Sequence, residues 1–545
     1  MTSSEQDYNQ FMLRKDVFLF LLLGVVFIML ISVPYVWAFN NAGSDHDFGG
    51  FLLNPIDGNS YLAKMYQGWL GWWKFSLPYT HQPGSGGYLF LFYLALGQIT
   101  RLVNGSLLGV FHISRIIGSI ILVLSIWNFF HQTMTSRRSL WFAFSLALLG
   151  SGLGWVAATY GFFTADFWVA EGYPFLSAYA NPHFPLGTAI LIWVLSPNRE
   201  FDQKARKIFR FLPDMLLVFL GLLLALILPF GVVIAGVVLG GLGLWEFVTG
   251  YPSKIREHRT KPGIADVLRD ISSWKRLIFV LLGGLPMMIY QIWITQSNPE
   301  LAAWNAQNFT ASPAIWDLIL SYSPIILLAI PGGYLVWKSK ESKAMLLLIW
   351  AVLGLLMLYI PWSLQRRFLL GYMIPLAGLA AVGLDHLFMQ HRKSALVLLI
   401  LVVLLIVPTN LMILVGGIQA VNVNEPKILL SHEEIAALNW IALNADQEAI
   451  VLASPEMGLF VPAYTGRRVV YGHPFETISA AEMQEAVEDF FSGQIDIEEL
   501  PVSKEVDFIL YGPREKEFGT ITLAGEFKLV HHSGDVRIFE ITSQN

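Results

Sequence analysis

Cysteine is absent from the chain, which excludes disulfides, thiolate metal sites and cysteine nucleophiles. Charge is scarce as well: Asp, Glu, Lys and Arg make up 14% of the residues, against roughly 25% in ordinary soluble domains. No basic tract is present and the net charge is −5, so nothing points to nucleic acid. The first apolar run, 17–39, lacks a small-residue cleavage site and exceeds the length of a signal-peptide core, so it is expected to persist as a helix of the mature protein. Internal repeats and low-complexity segments are lacking too.

What the chain has in quantity is hydrophobic residues, 55% of the total, gathered into long runs. These fall near 17–39, 106–131, 139–163, 184–197, 211–229, 230–250, 277–297, 315–337, 343–361, 368–389 and 394–417. In lipid, a backbone that satisfies its own hydrogen bonds over such lengths is helical. The expectation is an α-helical polytopic membrane protein of about eleven transmembrane helices.

Lys and Arg sort to one side if the N-terminus is cytoplasmic. Arg14 and Lys15 precede the first run, Arg137 and Arg138 follow the second, and Arg199, Lys204, Arg206, Lys207 and Arg210 follow the fourth. Lys254, Arg256, Arg259, Lys261, Arg269, Lys275 and Arg276 fill the largest internal loop, and Lys338, Lys340, Lys343, Arg392 and Lys393 mark later turns. Positive charge concentrated on the cytoplasmic side is the usual rule, which leaves the C-terminus outside. The apolar stretch 87–101 is short, and counting it as a crossing would invert every later loop. It is therefore expected to lie at the outer interface, so that all of 40–105 stays outside. Trp69, Trp72, Trp73 and Tyr79, interleaved with Lys64 and Lys74, suit a segment at headgroup level.

From about residue 421 the composition becomes that of a soluble domain. Ser431 with Glu434 reads as a helix start, 449–453 and 508–511 as short strands, 479–491 as a helix, and 527–541 as a closing hairpin. The expected organisation is a transmembrane domain over 1–420 and a small extracytoplasmic α/β domain over 421–545.

The outer loops hold the polar residues of interest. Asp57, in Asn54-Pro55-Ile56-Asp57-Gly58-Asn59-Ser60-Tyr61, fits two roles: a cap just outside a helix that follows a turn at Gly58-Asn59, or a general base at the membrane face. Asp45 and Asp47 flank His46 with the spacing of two oxygen ligands for Mg²⁺ or Mn²⁺, a divalent cation being the one cofactor the sequence suggests. The loop 164–183 carries Asp166, Glu171, Tyr173, Asn181 and His183 without a basic residue, which suits a sugar- or cation-binding rim as well as a solvated loop. Arg366 and Arg367 break the charge pattern at the outer end of a span, where a cation needs a partner. A lipid headgroup, a loop carboxylate or a phosphate held by the planar guanidinium fork would each serve.

Taken together, these features resemble the GT-C superfamily of integral membrane glycosyltransferases, which includes protein O-mannosyltransferases, aminoarabinose transferases and oligosaccharyltransferases. The resemblance rests on one N-terminal span followed by a large outer loop with an acid and a tyrosine, Asp57 and Tyr61. It rests further on the run from Tyr79 through His81-Gln82-Pro83 to Tyr88, on Arg115 at the next span, and on Arg366-Arg367-Phe368 leading to Pro375. The chain departs from the pattern where Gly58 follows Asp57 instead of a second acid, and where His81-Gln82 replaces a lysine near the Pro-rich turn.

The resemblance implies transfer of a sugar from a polyprenyl-phosphate carrier to a glycan, lipid or protein acceptor by inverting displacement. By that resemblance Asp57, with Asp47 as competitor, takes the base role, and Arg366 and Arg367 hold the donor phosphate. Tyr61, His81, Asp166, Glu171 and His183 are the implied substrate-binding residues. A bacterial inner membrane is the expected location, with membrane lipid, the lipid-linked sugar and the acceptor as partners. The competing readings are a non-catalytic protein that binds lipid-linked glycans during envelope assembly and, further off, a transporter. A transporter would gather polar residues at the midplane of interrupted helices, whereas here the acids sit in outer loops.

Overall fold

The computed structural model describes residues 3–197, 212–249, 272–523 and 527–541. The first run forms helix α1 (Ser3–Asn41), and a short strand β1 (His46–Phe48) leads from it into α2 (Pro55–Trp69) and α3 (Leu91–Val103). Helices α4 (Leu107–Thr133) and α5 (Arg137–Leu149) return to the membrane bundle.

Among the described residues seven helices are long and apolar enough to cross a membrane, or eight if a bent pair counts as one span. That pair, Ile315–Tyr322 and Ile325–Ser339, meets at 86° where a single straight span was expected over 315–337. The cause is Ser323-Pro324: proline has no N–H to give and pushes the residue before it toward the extended region, where Ser323 lies with φ −79° and ψ 144°. His183–Leu195, Leu212–Ile227 and Lys343–Met357 are apolar but shorter, so among the described residues seven or eight spans of crossing length stand against the eleven expected. The basic clusters expected over 199–210 and 254–269 lie outside the described residues. Of the charges near them, Lys275 pairs with Asp214 at 3.0 Å, and Arg276 donates to the Val194 carbonyl that closes a helix end.

The stretch 87–101 becomes α3, whose 13 residues span about 20 Å, short of a bilayer core of roughly 30 Å. It packs along α2 at unusually close range. A Cβ on Gly68 would stand 2.1 Å from the Leu94 carbonyl oxygen, and one on Gly97 would stand 2.0 Å from that of Met65. Glycine on both helices lets the two backbones touch, and Gly97→Val is expected to separate them at a cost of about 3 kcal/mol or more. Loss of a cooperative thermal transition in detergent is the measurement that checks this. The headgroup-level reading of this segment holds for Trp69 and Trp73, which are exposed, and fails for two others: Lys64 and Tyr79 are fully buried.

Beyond the last long helix, Arg392–Asn422, strand β2 (Leu429–Ser431) pairs antiparallel with β1, matching His46 with Ser431 and Asp47 with Leu430. The segment after the first span and the segment after the last span therefore lie on the same face, which requires an odd number of crossings in all. Strands β3 (Ile450–Leu452), β4 (Arg468–Val469), β5 (Phe508–Tyr511), β6 (Phe527–Ser533) and β7 (Val536–Ile541) form one sheet in the order β4-β3-β5-β7-β6. Its β3 runs parallel to β4 and β5, while β5, β7 and β6 are antiparallel. Helices His432–Asn444, Pro455–Thr465 and Ala480–Ser492 complete the layer, and Ser431 and Glu434 form a reciprocal cap at the start of the first. This domain does not hang free. The Tyr79 hydroxyl donates to the Leu459 carbonyl at 3.0 Å, and that of Tyr464 to Gly49 at 3.3 Å, so the first loop and the C-terminal domain pack as one surface.

Candidate functional site

The site is organised by α2. Asn54 enters it in a left-handed conformation (φ 49°), Pro55 fills the first helical position, and Asp57 lies inside the first turn. The capping role for Asp57 is thereby overturned: Asn54 holds the cap position, with no side-chain bond. Gly58 and Asn59 form no turn but continue the helix. Gly58 is required there because a Cβ would come 2.4 Å from the Phe51 ring, so the chain has no room for a second acid after Asp57.

Helical spacing puts Asp57, Tyr61 and Lys64 on one face of α2. Tyr61 stacks on Tyr93 with ring centroids 4.4 Å apart and planes at 8°, and the Tyr93 hydroxyl meets His183 Nδ1 at 2.6 Å. Burial, reinforced by the charge of Asp57, holds the Tyr61 phenol well above its usual range, so it stays a neutral hydroxyl. A short 3₁₀ turn, Gln365–Leu369, presents the two arginines. Arg367 Nη1 lies 3.2 Å from Glu171 Oε1, and Arg366 Nε lies 3.7 Å from the same oxygen. The Arg366 guanidinium also sits 4.8 Å over the Trp168 ring, and its Nε is buried without a hydrogen-bond partner. Two cations thus share one buried carboxylate, which leaves guanidinium donors over. Asp57 is within electrostatic reach of Tyr61 and of both arginines.

Asp57, Tyr61, Glu171, His183, Arg366 and Arg367 therefore belong to one neighbourhood. Four other residues do not join it. Asp166 is 1% exposed and fully engaged in holding its own loop. It accepts from Gly152 N at 3.0 Å, Gly154 N at 3.1 Å and Thr164 Oγ1 at 2.6 Å, and burial raises its pKa despite these bonds. Asp166→Ala is expected to strand those donors and lower stability by about 1–3 kcal/mol while leaving donor binding unchanged, a split that thermal melts and a binding isotherm check. His81 lies against the C-terminal domain, where its carbonyl accepts from Arg468, and burial lowers the pKa of its ring.

Asp45 and Asp47 are exposed beside strand β1, with Asp47 Oδ1 3.7 Å from His432 Nε2. Among the described residues no three His, Asp or Glu side chains converge on a point a metal could fill, so the expected Mg²⁺ or Mn²⁺ site has no ligand set here. The pairing of β1 with β2 explains why: it turns these two carboxylates to solvent at the edge of a two-stranded ladder.

Sequence reasoning missed one group altogether. Lys64, fully buried, pairs with Glu476 Oε1 at 2.6 Å, and Ser60 Oγ bonds to both. Lys64 was legible as the next member of the Asp57 and Tyr61 face, but Glu476 stands 412 residues further on, with no local pattern to mark it. Burial alone would raise the Glu476 carboxyl, yet Lys64 and His473 bring it below its usual value, so the pair is ionic.

No protein-family profile matches the chain, and no curated protein matches it by sequence. Solved structures do match. The chain is similar to the oligosaccharyltransferase of Archaeoglobus fulgidus tethered to an acceptor peptide, with a TM-score of 0.56 and 14% identity over 91% of this chain and 69% of the other. The chain shares the fold of this membrane enzyme. The same archaeal enzyme, AglB, in complex with an inhibitory peptide and a dolichol-phosphate, superposes with a TM-score of 0.54 at 14% identity over 91% of this chain and 69% of its own. ArnT from Cupriavidus metallidurans in the apo state matches with a TM-score of 0.51 at 12% identity, over 94% of this chain and 97% of ArnT. With 94% of this chain covered, the likeness in fold to ArnT extends from the membrane bundle through the C-terminal domain.

Proposed function

We propose that this protein is a glycosyltransferase that moves a sugar from a polyprenyl-phosphate carrier to an extracytoplasmic acceptor, a glycan, lipid or protein, by a single inverting displacement. The observation that supports the reading is the pairing of Arg366 and Arg367 with the buried Glu171, at 3.7 and 3.2 Å, within electrostatic reach of Asp57. Asp57 takes the proton from the acceptor nucleophile, whose lone pair attacks the anomeric carbon. The bond from that carbon to the phosphate oxygen breaks, its electron pair leaves with the lipid phosphate, and the arginines stabilise the charge that develops there. Tyr61, a neutral hydroxyl on the stack with Tyr93 and His183, lines the sugar's side of the site. Among the described residues no three His, Asp or Glu side chains converge to hold a divalent cation, and no step is assigned to one.

The solved neighbours support the class of donor: AglB has been captured with a dolichol-phosphate. The distribution of Lys and Arg supports a cytoplasmic N-terminus and an outer-facing site, and a bacterial inner membrane is the location proposed with them. The test is the anomeric configuration of the product by NMR. Inversion is expected, and retention would overturn the single displacement.

A further inference from the structure

We infer that the buried Lys64–Glu476 pair makes the C-terminal domain a working part of the transfer site, by fixing the face of α2 that carries Asp57 and Tyr61. The inference rests on the transferase reading above and adds a positioning role to it.

Lys64 lies two helical turns beyond Asp57 and one beyond Tyr61, so whatever holds Lys64 sets the rotation and height of both. Its ammonium is held on every side: by Glu476 Oε1 at 2.6 Å, by Ser60 Oγ at 2.5 Å and by the Phe90 ring of the first loop at 4.5 Å. Glu476 is in turn held by its own turn. His473 Nδ1 accepts from the N–H groups of Phe475 and Glu476, both at 3.1 Å, and Thr477 N donates to the His473 carbonyl at 3.0 Å. A third element braces this turn from outside, since Gln307 Nε2 donates to Thr477 O at 2.6 Å and to Phe475 O at 3.2 Å.

Burying two charges costs more than burying an apolar pair of similar volume, so stability alone is a weak reason for the pair. What an ion pair supplies and an apolar pair does not is a single register. The turn also reaches the site itself: Glu476 is within electrostatic reach of Tyr61, and His473 of Asp57.

The test uses the purified full-length protein with a lipid-linked donor, comparing wild type with Glu476→Gln, with Lys64→Met and Glu476→Leu combined, and with Asp57→Asn. Glu476→Gln keeps the side-chain shape, and Lys64 keeps Ser60 and the Phe90 ring. The expected result is a kcat lower by about tenfold with KM for the donor within about twofold, because a shift of α2 misplaces the base and not the donor. The apolar double variant regains the thermal stability and not the kcat.

Wild-type kcat in Glu476→Gln, with only the melting temperature changed, would overturn the positioning role. The Asp57→Asn arm separates the two layers. Activity surviving in Asp57→Asn overturns the base assignment on which the inference rests, whereas an inactive Asp57→Asn beside a wild-type-like Glu476→Gln overturns the inference alone. If the double variant does not fold, Glu476→Gln decides the matter by itself.

Discussion

Asp57→Asn is expected to lower the rate of transfer by about 10²–10⁴-fold while the affinity for the lipid-linked donor stays within about twofold. The substitution keeps size and helix position, and among the described residues no hydrogen bond or ion pair engages the Asp57 carboxylate in the resting structure, so little packing is lost. Only the ability to take a proton disappears. Melting temperature is expected to stay close to wild type, as for a partly exposed position without partners. Initial rates and a donor-binding isotherm on the same preparation check the split. If rate and affinity fall together, Asp57 binds the donor and another group is the base. Asp47 is then next in line, although its place in the β1–β2 ladder beside His432 sets it among surface groups.

The second large effect is at the arginines. Arg366→Ala is expected to reduce kcat by about 10²–10³-fold, the usual cost of losing one donor aimed at developing negative charge. Its Nε has no hydrogen-bond partner and stands 3.7 Å from Glu171, whose nearer cation is Arg367, so that donor is available to a phosphate. Arg366→Lys recovers only part of the loss, because an ammonium cannot reproduce the planar two-pronged grip. Arg367→Ala behaves differently. It leaves Glu171 buried with Arg366 at 3.7 Å as its remaining cation, so stability falls along with activity. Product inhibition by polyprenyl phosphate separates the two effects: it weakens in Arg366→Ala at unchanged melting temperature, whereas in Arg367→Ala both change.

Much of this architecture was legible because membrane helices announce themselves by length and apolarity, and because caps and alternation carry short-range signals. Ser431 with Glu434, the hairpin over 527–541 and the short helix at 87–101 all have their causes within a few residues. The arginines were legible as a pair in search of a partner, and Glu171, one of the carboxylates of the acidic loop, is that partner. What escaped were the contacts that sequence neighbours cannot encode. Lys64 reads as an ordinary lysine in an aromatic segment until the C-terminal domain closes over it. Asp166 reads as a rim acid until its loop folds back and spends the carboxylate on two backbone N–H groups and a threonine. The bend at Ser323-Pro324 had a local cause, yet it was outweighed by a hydrophobic run long enough to read as one span.

The most direct test of the account is turnover. Purified wild-type protein is incubated with a panel of radiolabelled polyprenyl-phosphate sugars in the presence of envelope extract as acceptor, and lipid phosphate and labelled product are quantified. At least one donor is expected to be consumed, with one lipid phosphate released per sugar transferred, and Asp57→Asn is expected to turn over about 10²–10⁴-fold more slowly. A protein that binds polyprenyl phosphate but consumes no donor in the panel would contradict it, and would leave this chain a non-catalytic carrier of lipid-linked glycans.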